Sequence, residues 1–375
     1  MRLVSLEVAD WRNVASAQLD TNARFVVLHG DNAQGKTNLL EAVWTLSNLR
    51  SFRESRYQRL IRHECDSVQI DGMVVGESGR RRLRWARSAA SRTMQIDGQN
   101  VRQLRDWFAV LRAVLFCPEH GAIIRGGPVE RRSFVDRAAF TTRPAHLDVV
   151  RQYARVLRHK AALLRSRKGG RVQVESWNSQ LALLGGQLAA RRAAALCDLS
   201  EPFVEAHRAI AGPRSGVATL RMRGLGRAAP GERLDPAVVT AQFIEKLSTG
   251  LDDEIRQARC LVGPHRDDLV VDLDGHPARN FASQGQARSL VLALKLAELE
   301  AARRQGLAPL FLLDDLTSEL DRSRMVRLME VLADLKNQVW LTTTDPRWLG
   351  PLPGGDVVSY KVAAGRVEPL SEPPE

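Results

Sequence analysis

The first hundred residues alternate between apolar and polar positions in a way that predicts strands. LVSLEV and RFVVLH, within residues 1–28, have the short alternating or apolar texture of strands, and a helical period follows at Asn38–Leu49. From Val68 to about Val101 the alternation returns, interrupted by Asp-Gly pairs and a Glu-Ser-Gly triplet. Such turn residues between alternating runs predict an antiparallel β meander.

The texture changes twice further along the chain. Between about Pro118 and Ile244 the apolar period is helical and arginine is frequent, with a Gly/Pro/Arg-rich interruption at 212–236. Strand-like runs return at 268–273, 309–313 and 338–342, and the last dozen residues are predicted to be a frayed tail. We therefore predict an α/β head built from both chain ends, with a mixed sheet, the meander and an inserted, mainly helical lobe. The predicted domains are 1–117, the first half of the head; 118–245, the helical lobe; and 246–375, the second half of the head.

Charge points to a polyanionic partner. Lys and Arg number 55 against 43 Asp and Glu, which gives a net charge of +12. Binding to phosphates releases counterions, so this excess favours nucleic acid, although biased codon usage also enriches arginine. The four cysteines show no metal-ligand or redox spacing, and no apolar run approaches the length needed to cross a bilayer. A cytoplasmic location is predicted.

The segment GDNAQGKT, which follows a predicted buried strand and precedes a helix, matches the P-loop pattern. Its glycines permit a tight turn, and its backbone N–H groups and the helix start can cradle phosphates. Lys36 would compensate β/γ-phosphate charge and Thr37 would offer its hydroxyl to Mg²⁺. The alternative is a fortuitous glycine-rich turn. The predicted nucleotide-binding residues are Gly30, Asp31, Asn32, Ala33, Gln34, Gly35, Lys36, Thr37 and Asn38.

A second segment, PLFLLDDLTSELD at 309–321, predicts a buried strand that ends in two acids. The carboxyl edge of a parallel sheet is where ligands bind. Asp314 would hold Mg²⁺ and Asp315 would orient or deprotonate the attacking water, so the predicted catalytic residues are Asp315 and Lys36. The alternative for Asp315 is that it only caps the next helix.

The polar stretch SQGQ at 283–286 opens an apolar helix. Ser283 and Gln286 fit a capping box, in which each side chain satisfies a backbone N–H of the first turn. A helix start can also bind an anion. Both interpretations are compatible, because an anion site needs an ordered helix start.

Seven motifs together resemble the RecF family of bacterial recombination-mediator ATPases, which are related to SMC heads and ABC-type ATPases. They are GDNAQGKTNLLEAVW, RSFRE, PVERRSFVD, GPHRDDL, FASQGQARSLVLALKLAE, LLDDLTSELD and QVWLTTTD. The resemblance implies an ABC/SMC-type head that binds ATP with Mg²⁺ and is a weak DNA-dependent ATPase. It implies an ATP-dependent homodimer, in which Ser283, Gly285 and Gln286 contact the nucleotide of the second copy. It also implies DNA partners (single-stranded, gapped and duplex), RecO and RecR as helpers in loading recombinase, and roles in replication, repair and the SOS response.

Three positions depart from the family pattern. Ala33 stands where SMC-type P-loops usually carry glycine, and Asp315 stands where ABC transporters have Glu. The shorter Asp315 side chain would place its carboxylate farther from the water, which agrees with slow turnover. The transporter switch histidine is absent, and Thr343 or Thr344 is a candidate substitute.

Two basic segments are candidates for DNA contact. Arg151, Arg155 and Arg158 lie at helical spacing, with Lys160 nearby, in a run of residues 151–171 that has no acid. Phosphate contact would be sequence-independent and salt-sensitive, whereas the alternative is a solvated helix face. RRRLRW at 80–85 is the weaker candidate, with edge-strand protection as its alternative.

Two other protein classes compete with a DNA-repair ATPase. One is the ATP-binding subunit of an ABC-type transporter, which the missing switch histidine and the basic helical lobe disfavour. The other is a structural, SMC-like nucleoid protein with a vestigial site, which intact Lys36, Thr37, Asp314 and Asp315 disfavour.

Overall fold

The computed structural model describes residues 1–77, 79–166, 170–213, 215–229, 231–350, 352 and 356–370. Its strands are β1 Arg2–Trp11, β2 Val14–Asp20, β3 Phe25–His29, β4 Ser67–Gly76, β5 Gly79–Ser88, β6 Arg92–Ile96, β7 Gln99–Asn100, β8 Ala113–Phe116, β9 Ala218–Arg223, β10 Asp268–Leu273, β11 His276–Pro277, β12 Leu310–Leu313, β13 Val339–Thr343, β14 Val357–Ala363 and β15 Arg366–Leu370. Its helices are α1 Lys36–Asn48, α2 Leu104–Val110, α3 Ala122–Arg125, α4 Pro128–Thr142, α5 His146–Ser166, α6 Arg171–Glu175, α7 Asn178–Ala211, α8 Pro236–Thr249, α9 Leu251–Gln257, α10 Ala278–Phe281, α11 Gln284–Arg303, α12 Leu316–Glu319 and α13 Arg322–Asp334.

The chain divides into two compact units. Unit 1 comprises 1–120, 209–211 and 302–375, and unit 2 comprises 121–208 and 212–301. Residues 246–301, which the sequence assigns to the second half of the head, group by contact with unit 2. Their assignment to the head stays a prediction.

Unit 1 contains two six-stranded sheets. One has the order β2-β1-β4-β5-β6-β7 and is antiparallel throughout, which confirms the predicted meander. The other has the order β15-β14-β3-β13-β12-β8, in which only β15 is antiparallel to its neighbour. Its central strands are buried apolar runs, as parallel strands covered on both faces require. Helix α1 contacts strands of both sheets and so lies between them.

Unit 2 is mainly helical around a three-stranded sheet of order β11-β10-β9. An apolar core is formed by helices α5, α7 and α8, with Tyr153 and Phe243 among its largest members. The helical prediction for 118–244 is confirmed except at β9, which lies inside the Gly/Pro/Arg-rich interruption. Six residues among many turn formers gave too short a pattern to predict a strand.

The observed strands correct one further prediction and add one strand that was not predicted. The chain end does not fray from residue 364, because β15 pairs with β14 over 366–370; residues 371–375 of the predicted tail lie outside the described part. The strand β2 was missed, since VASAQLD carries only weak alternation. No helix among the described residues is long and apolar enough to cross a membrane.

Candidate functional site

The predicted nucleotide site lies at the carboxyl edge of the parallel sheet in unit 1. Strand β13 pairs with β3 on one side and with β12 on the other, all in parallel. The P-loop follows β3 and the two acids follow β12, so the sheet brings together segments almost 280 residues apart. This is the edge at which open α/β sheets bind their ligands.

The P-loop backbone adopts conformations that demand small residues. Gly30 has a φ of +147°, and a Cβ there would lie 2.2 Å from the Val362 carbonyl oxygen. Gly35, at φ +116°, precedes α1 directly, so the helix start faces the loop. Ala33 has a φ of +65°, in the left-handed region that favours glycine. The alanine therefore adopts a conformation that glycine would reach without strain, at a cost of about 1 kcal/mol.

Two turns hold this loop from outside. Gln34 accepts backbone N–H bonds from Gly365, through its carbonyl at 2.9 Å, and from Ala364, through its Oε1 at 2.6 Å. The Asn13 amide donates to the same Gln34 carbonyl at 3.1 Å, and the Asn38 amide donates to Asn13 Oδ1 at 2.8 Å. The β1–β2 and β14–β15 turns thus clamp the loop, which no local sequence pattern indicated.

Lys36 is buried at the first residue of α1. Its ammonium donates to the carbonyl oxygens of Gly30 at 2.6 Å and Asp31 at 2.8 Å. Burial lowers the pKa of Lys36, and the neighbouring carboxylates of Asp315, Asp314 and Asp31 oppose that shift. The lysine is thereby held inside the loop, where a phosphate would need a positive charge.

Asp314 forms the centre of a hydroxyl-lined acid site. Its Oδ1 accepts from Thr37 Oγ1 at 2.9 Å and from Thr342 Oγ1 at 2.7 Å. Burial raises the pKa of Asp314, and the two hydroxyl bonds oppose that rise. A hydroxyl and a carboxylate oxygen side by side at a helix start fit Mg²⁺, which prefers hard oxygen ligands and keeps several waters. In the described residues no group of three or more His, Cys, Asp or Glu could hold a metal by itself, so phosphate oxygens would complete the set.

Asp315 occupies the N-cap position of α12 but does not cap it. Its side chain makes no cap hydrogen bond, and its backbone is left-handed at φ +52°, ψ +48°. The capping alternative is therefore wrong. Strained non-glycine residues of this kind cluster at functional sites, where the surrounding structure holds them in place.

Two residues at this edge were missed by sequence reasoning. Thr342 bonds to both acids, whereas the Thr343 hydroxyl bonds to Asp345 and Thr344 is exposed. Glu119 follows β8 and its charge contributes to the raised pKa of Asp314. Aligning FLLDD (311–315) with VWLTT (339–343) as parallel neighbours would have placed Thr342 beside Asp314. No pattern in the sequence gave that register.

The signature residues lie in unit 2 at the start of α11. The Ser283 N–H donates to Gln286 Oε1 at 2.8 Å, and the Gln286 N–H donates to Ser283 Oγ at 3.2 Å. The capping box is confirmed, with Gly285 inside the first turn. An anion-binding role for this helix start remains a prediction.

Helix α5 presents three of its predicted DNA contacts to solvent: Arg151, Arg155 and Arg158. Lys160, by contrast, is fully buried, with its ammonium 2.5 Å from Glu254 Oε2 and 2.7 Å from Asn178 Oδ1. The prediction that Lys160 contacts DNA is wrong, because its charge is already neutralised inside unit 2. The helical spacing was correct, but it did not reveal that residue 160 points inward.

The second basic segment, RRRLRW, lies on β5, which pairs with both β4 and β6. The edge-strand alternative is wrong for residues 83–85, which pair on both sides, whereas residues 80–82 pair as strand only with β4. Asp71 binds Arg82 and Arg84, and Asp97 binds Arg81. These two carboxylates compensate half of the charge of the four arginines, which weakens the case for phosphate contact there.

Motif-bearing residues outside the acid site have mainly structural partners. Arg53 donates to Asn38 Oδ1 at 3.2 Å, beside the P-loop. His265 bonds through Nδ1 to the Tyr153 hydroxyl at 2.7 Å. Arg266 is exposed.

The fold and the loop–acid arrangement define a P-loop ATPase of the SMC-head class, and comparison with known proteins agrees. The chain belongs to the RecF family, since the RecF/RecN/SMC N-terminal domain model matches residues 2–350 and full-length RecF proteins match throughout. It is 40% identical over 376 residues to the DNA replication and repair protein RecF of Anaeromyxobacter sp. (strain Fw109-5), covering 99% of this chain and 100% of that one. The RecF of Geobacter sulfurreducens is 38% identical over 374 residues, with 99% and 100% covered.

Solved structures give the same result. A structure of the recombination mediator protein RecF with ATPrS, of the RecFOR pathway, superposes with a TM-score of 0.86 at 26% identity, covering 99% of this chain and 98% of that one. An SMC head domain from Pyrococcus furiosus superposes with a TM-score of 0.57 at 13% identity, covering 98% and 95%, and shares the fold alone. The predicted fold class is confirmed.

Proposed function

We propose that this protein is an ATP-dependent DNA-binding protein of recombinational repair and replication-fork maintenance. The observation that carries the proposal is the meeting of Lys36, Thr37, Asp314 and Asp315 at one sheet edge. Full-length similarity to proteins named for DNA replication and repair, and to RecF solved with ATPrS and with ATP, supports it. We infer ATP as the nucleotide, Mg²⁺ as its metal and the cytoplasm as the location.

In the proposed reaction, the P-loop N–H groups and the α1 start bind the phosphates, and Lys36 compensates their charge. Thr37 and Asp314 would hold Mg²⁺, which neutralises charge on the phosphate oxygens. Asp315 would orient the attacking water and accept its proton. We infer slow turnover, because the Asp315 side chain is one methylene shorter than the Glu of ABC transporters and would place its carboxylate farther from the water.

The catalytic assignment is tested by Lys36→Ala and Asp315→Asn, with Lys336→Ala and Asp334→Asn as exposed controls in unit 1. We expect Lys36→Ala to lose ATP binding. We expect Asp315→Asn to bind ATP normally but to lower kcat by about 100-fold or more, the contribution typical of a general base. Wild-type turnover by Asp315→Asn would refute the role of that acid.

Dimerisation is proposed from the family resemblance, with Ser283, Gly285 and Gln286 completing the nucleotide site of a second copy. Sedimentation with ATP and DNA should show a dimer that Asp315→Asn traps and Ser283→Arg abolishes. A strictly monomeric protein that hydrolyses ATP at full rate, with or without Ser283→Arg, would contradict this. Action at gapped DNA with RecO and RecR is part of the same proposal.

DNA contact is proposed for the exposed α5 arginines. Each lost phosphate contact lowers the slope of log affinity against log salt by about 0.9 on duplex DNA. Combined reversal to Glu at 151, 155 and 158 should therefore reduce the slope by about 2 to 3, whereas Arg208→Glu, an exposed reversal on α7, should not. An unchanged slope in the triple variant would mean that these arginines form a solvated helix face and do not contact DNA.

A further inference from the structure

Thr342 connects the two acids through one buried hydroxyl. Its Oγ1 donates to Asp314 Oδ1 at 2.7 Å and accepts the Asp315 backbone N–H at 2.8 Å. The side chain is 1% exposed, so neither bond competes with bulk water. A threonine hydroxyl has one proton to donate and lone pairs to accept, so both bonds can exist at once.

Strand register explains this placement. In the parallel pairing of β12 and β13, Leu313 lies opposite Leu341. One residue further on, Asp314 leaves the strand while Thr342 continues β13 beside it. The threonine therefore stands on a rigid strand, whereas the acids lie in the turn that leads to α12.

The bond to Asp315 matters because that residue is conformationally strained. A left-handed non-glycine residue costs about 1–2 kcal/mol and persists only if its surroundings hold it. The N–H bond to Thr342 fixes the peptide that sets the direction of the Asp315 carboxylate.

The bond to Asp314 serves the other acid. Thr37 also donates to Asp314 Oδ1, but its hydroxyl is the one assigned to Mg²⁺. The Thr342 hydroxyl is not assigned to Mg²⁺, so it can hold the Asp314 carboxylate in one rotamer throughout the reaction. Hydrogen-bond partners behind metal ligands typically change affinity or activity 10- to 100-fold when removed.

We propose that Thr342 is a positioning residue for ATP hydrolysis, which locks the metal-binding carboxylate of Asp314 and the backbone of Asp315 into one arrangement. The proposal rests on the proposed ATPase function. Because Thr342 sets the relative orientation of the two acids, its hydroxyl affects turnover and the use of Mg²⁺ more than the binding of the nucleotide base or the P-loop contacts.

The test compares Thr342→Val, which keeps the shape and removes the hydroxyl, with Thr342→Ser, which keeps the hydroxyl. For Thr342→Val we expect kcat to fall about 10- to 100-fold and the Mg²⁺ concentration for half-maximal activity to rise, with the KM for ATP within about threefold of wild type. Thr342→Ser should stay within about threefold of wild type in all three quantities.

Thr21→Val is the matched stability control, since Thr21 is also fully buried in unit 1 and donates one hydroxyl bond, to the Leu3 carbonyl at 2.6 Å. It should lower the melting temperature, by less than Thr342→Val because only one bond to a neutral acceptor is lost, and leave kcat unchanged. Wild-type kcat in folded Thr342→Val, or equal losses in the Val and Ser variants, would overturn the proposal. A wild-type protein that binds but never hydrolyses ATP would instead overturn the proposed function from which it starts.

Discussion

Replacing Lys160 with methionine tests whether this lysine stabilises unit 2 or contacts DNA. Its ammonium contacts Glu254 and Asn178, and both Lys160 and Glu254 are completely buried. The three residues lie on α5, α9 and α7, so the ion pair and the hydrogen bond together join three helices. Lys160→Met removes the positive charge while keeping most of the side-chain volume.

The expected loss of stability comes from Glu254, which stays buried without its cation. A buried carboxylate without its cation costs about 3–5 kcal/mol. For a unit of this size, 1 kcal/mol corresponds to roughly 2–4 °C in melting temperature, so we expect a drop of about 6–20 °C. Adding Glu254→Gln removes the uncompensated charge but keeps an oxygen for the Leu261 N–H, and should restore about half of the loss.

Thermal unfolding followed by circular dichroism measures this loss, and fluorescence anisotropy measures DNA affinity in parallel. Arg155→Met, five residues earlier on the exposed face of α5, is the control. It should change stability by no more than about 0.5 kcal/mol, as surface substitutions do, while weakening DNA binding. Unchanged melting of Lys160→Met together with lost DNA affinity would refute the reasoning.

Two other predictions concern the P-loop clamp and pH. Gly365→Ala should raise the KM for ATP at least severalfold, because its Cβ would lie 2.2 Å from the Asn13 carbonyl oxygen; Gly306→Ala, with a similar φ of +74° and open space around it, should leave KM unchanged. Equal KM values in steady-state assays would contradict the clamp. Burial lowers the pKa of His265 from 6.5 to about 4, so the unfolded chain takes up a proton at a pH where the native protein does not. Its contribution to stability is complete above about pH 6.5 and falls by about 3 kcal/mol towards pH 4; urea unfolding should show a flatter pH slope for His265→Gln, and an equal slope would refute the assignment.

The sequence by itself determined the parts of the site that depend on neighbouring residues. A P-loop needs glycines, a lysine and a helix start within eight positions, and Gly30 to Thr37 supply them. The short apolar run before Asp314 predicts a buried strand with its acids at the end. Ser283 and Gln286 form their capping box within one turn. Each of these is set by local backbone geometry, which the order of residues specifies.

Only the tertiary structure decided what lies opposite each segment. Thr342 reaches the acids because β13 pairs with β12 in one register, and a shift by one residue would turn its side chain to the other face. Lys160 differs from Arg158 because Glu254, 94 residues away in sequence, packs against one side of α5 and not the other. Asn13 and Gly365 hold the P-loop from turns at opposite ends of the chain. A helical or strand period indicates which residues share a face. Long-range packing determines which other segment lies against that face.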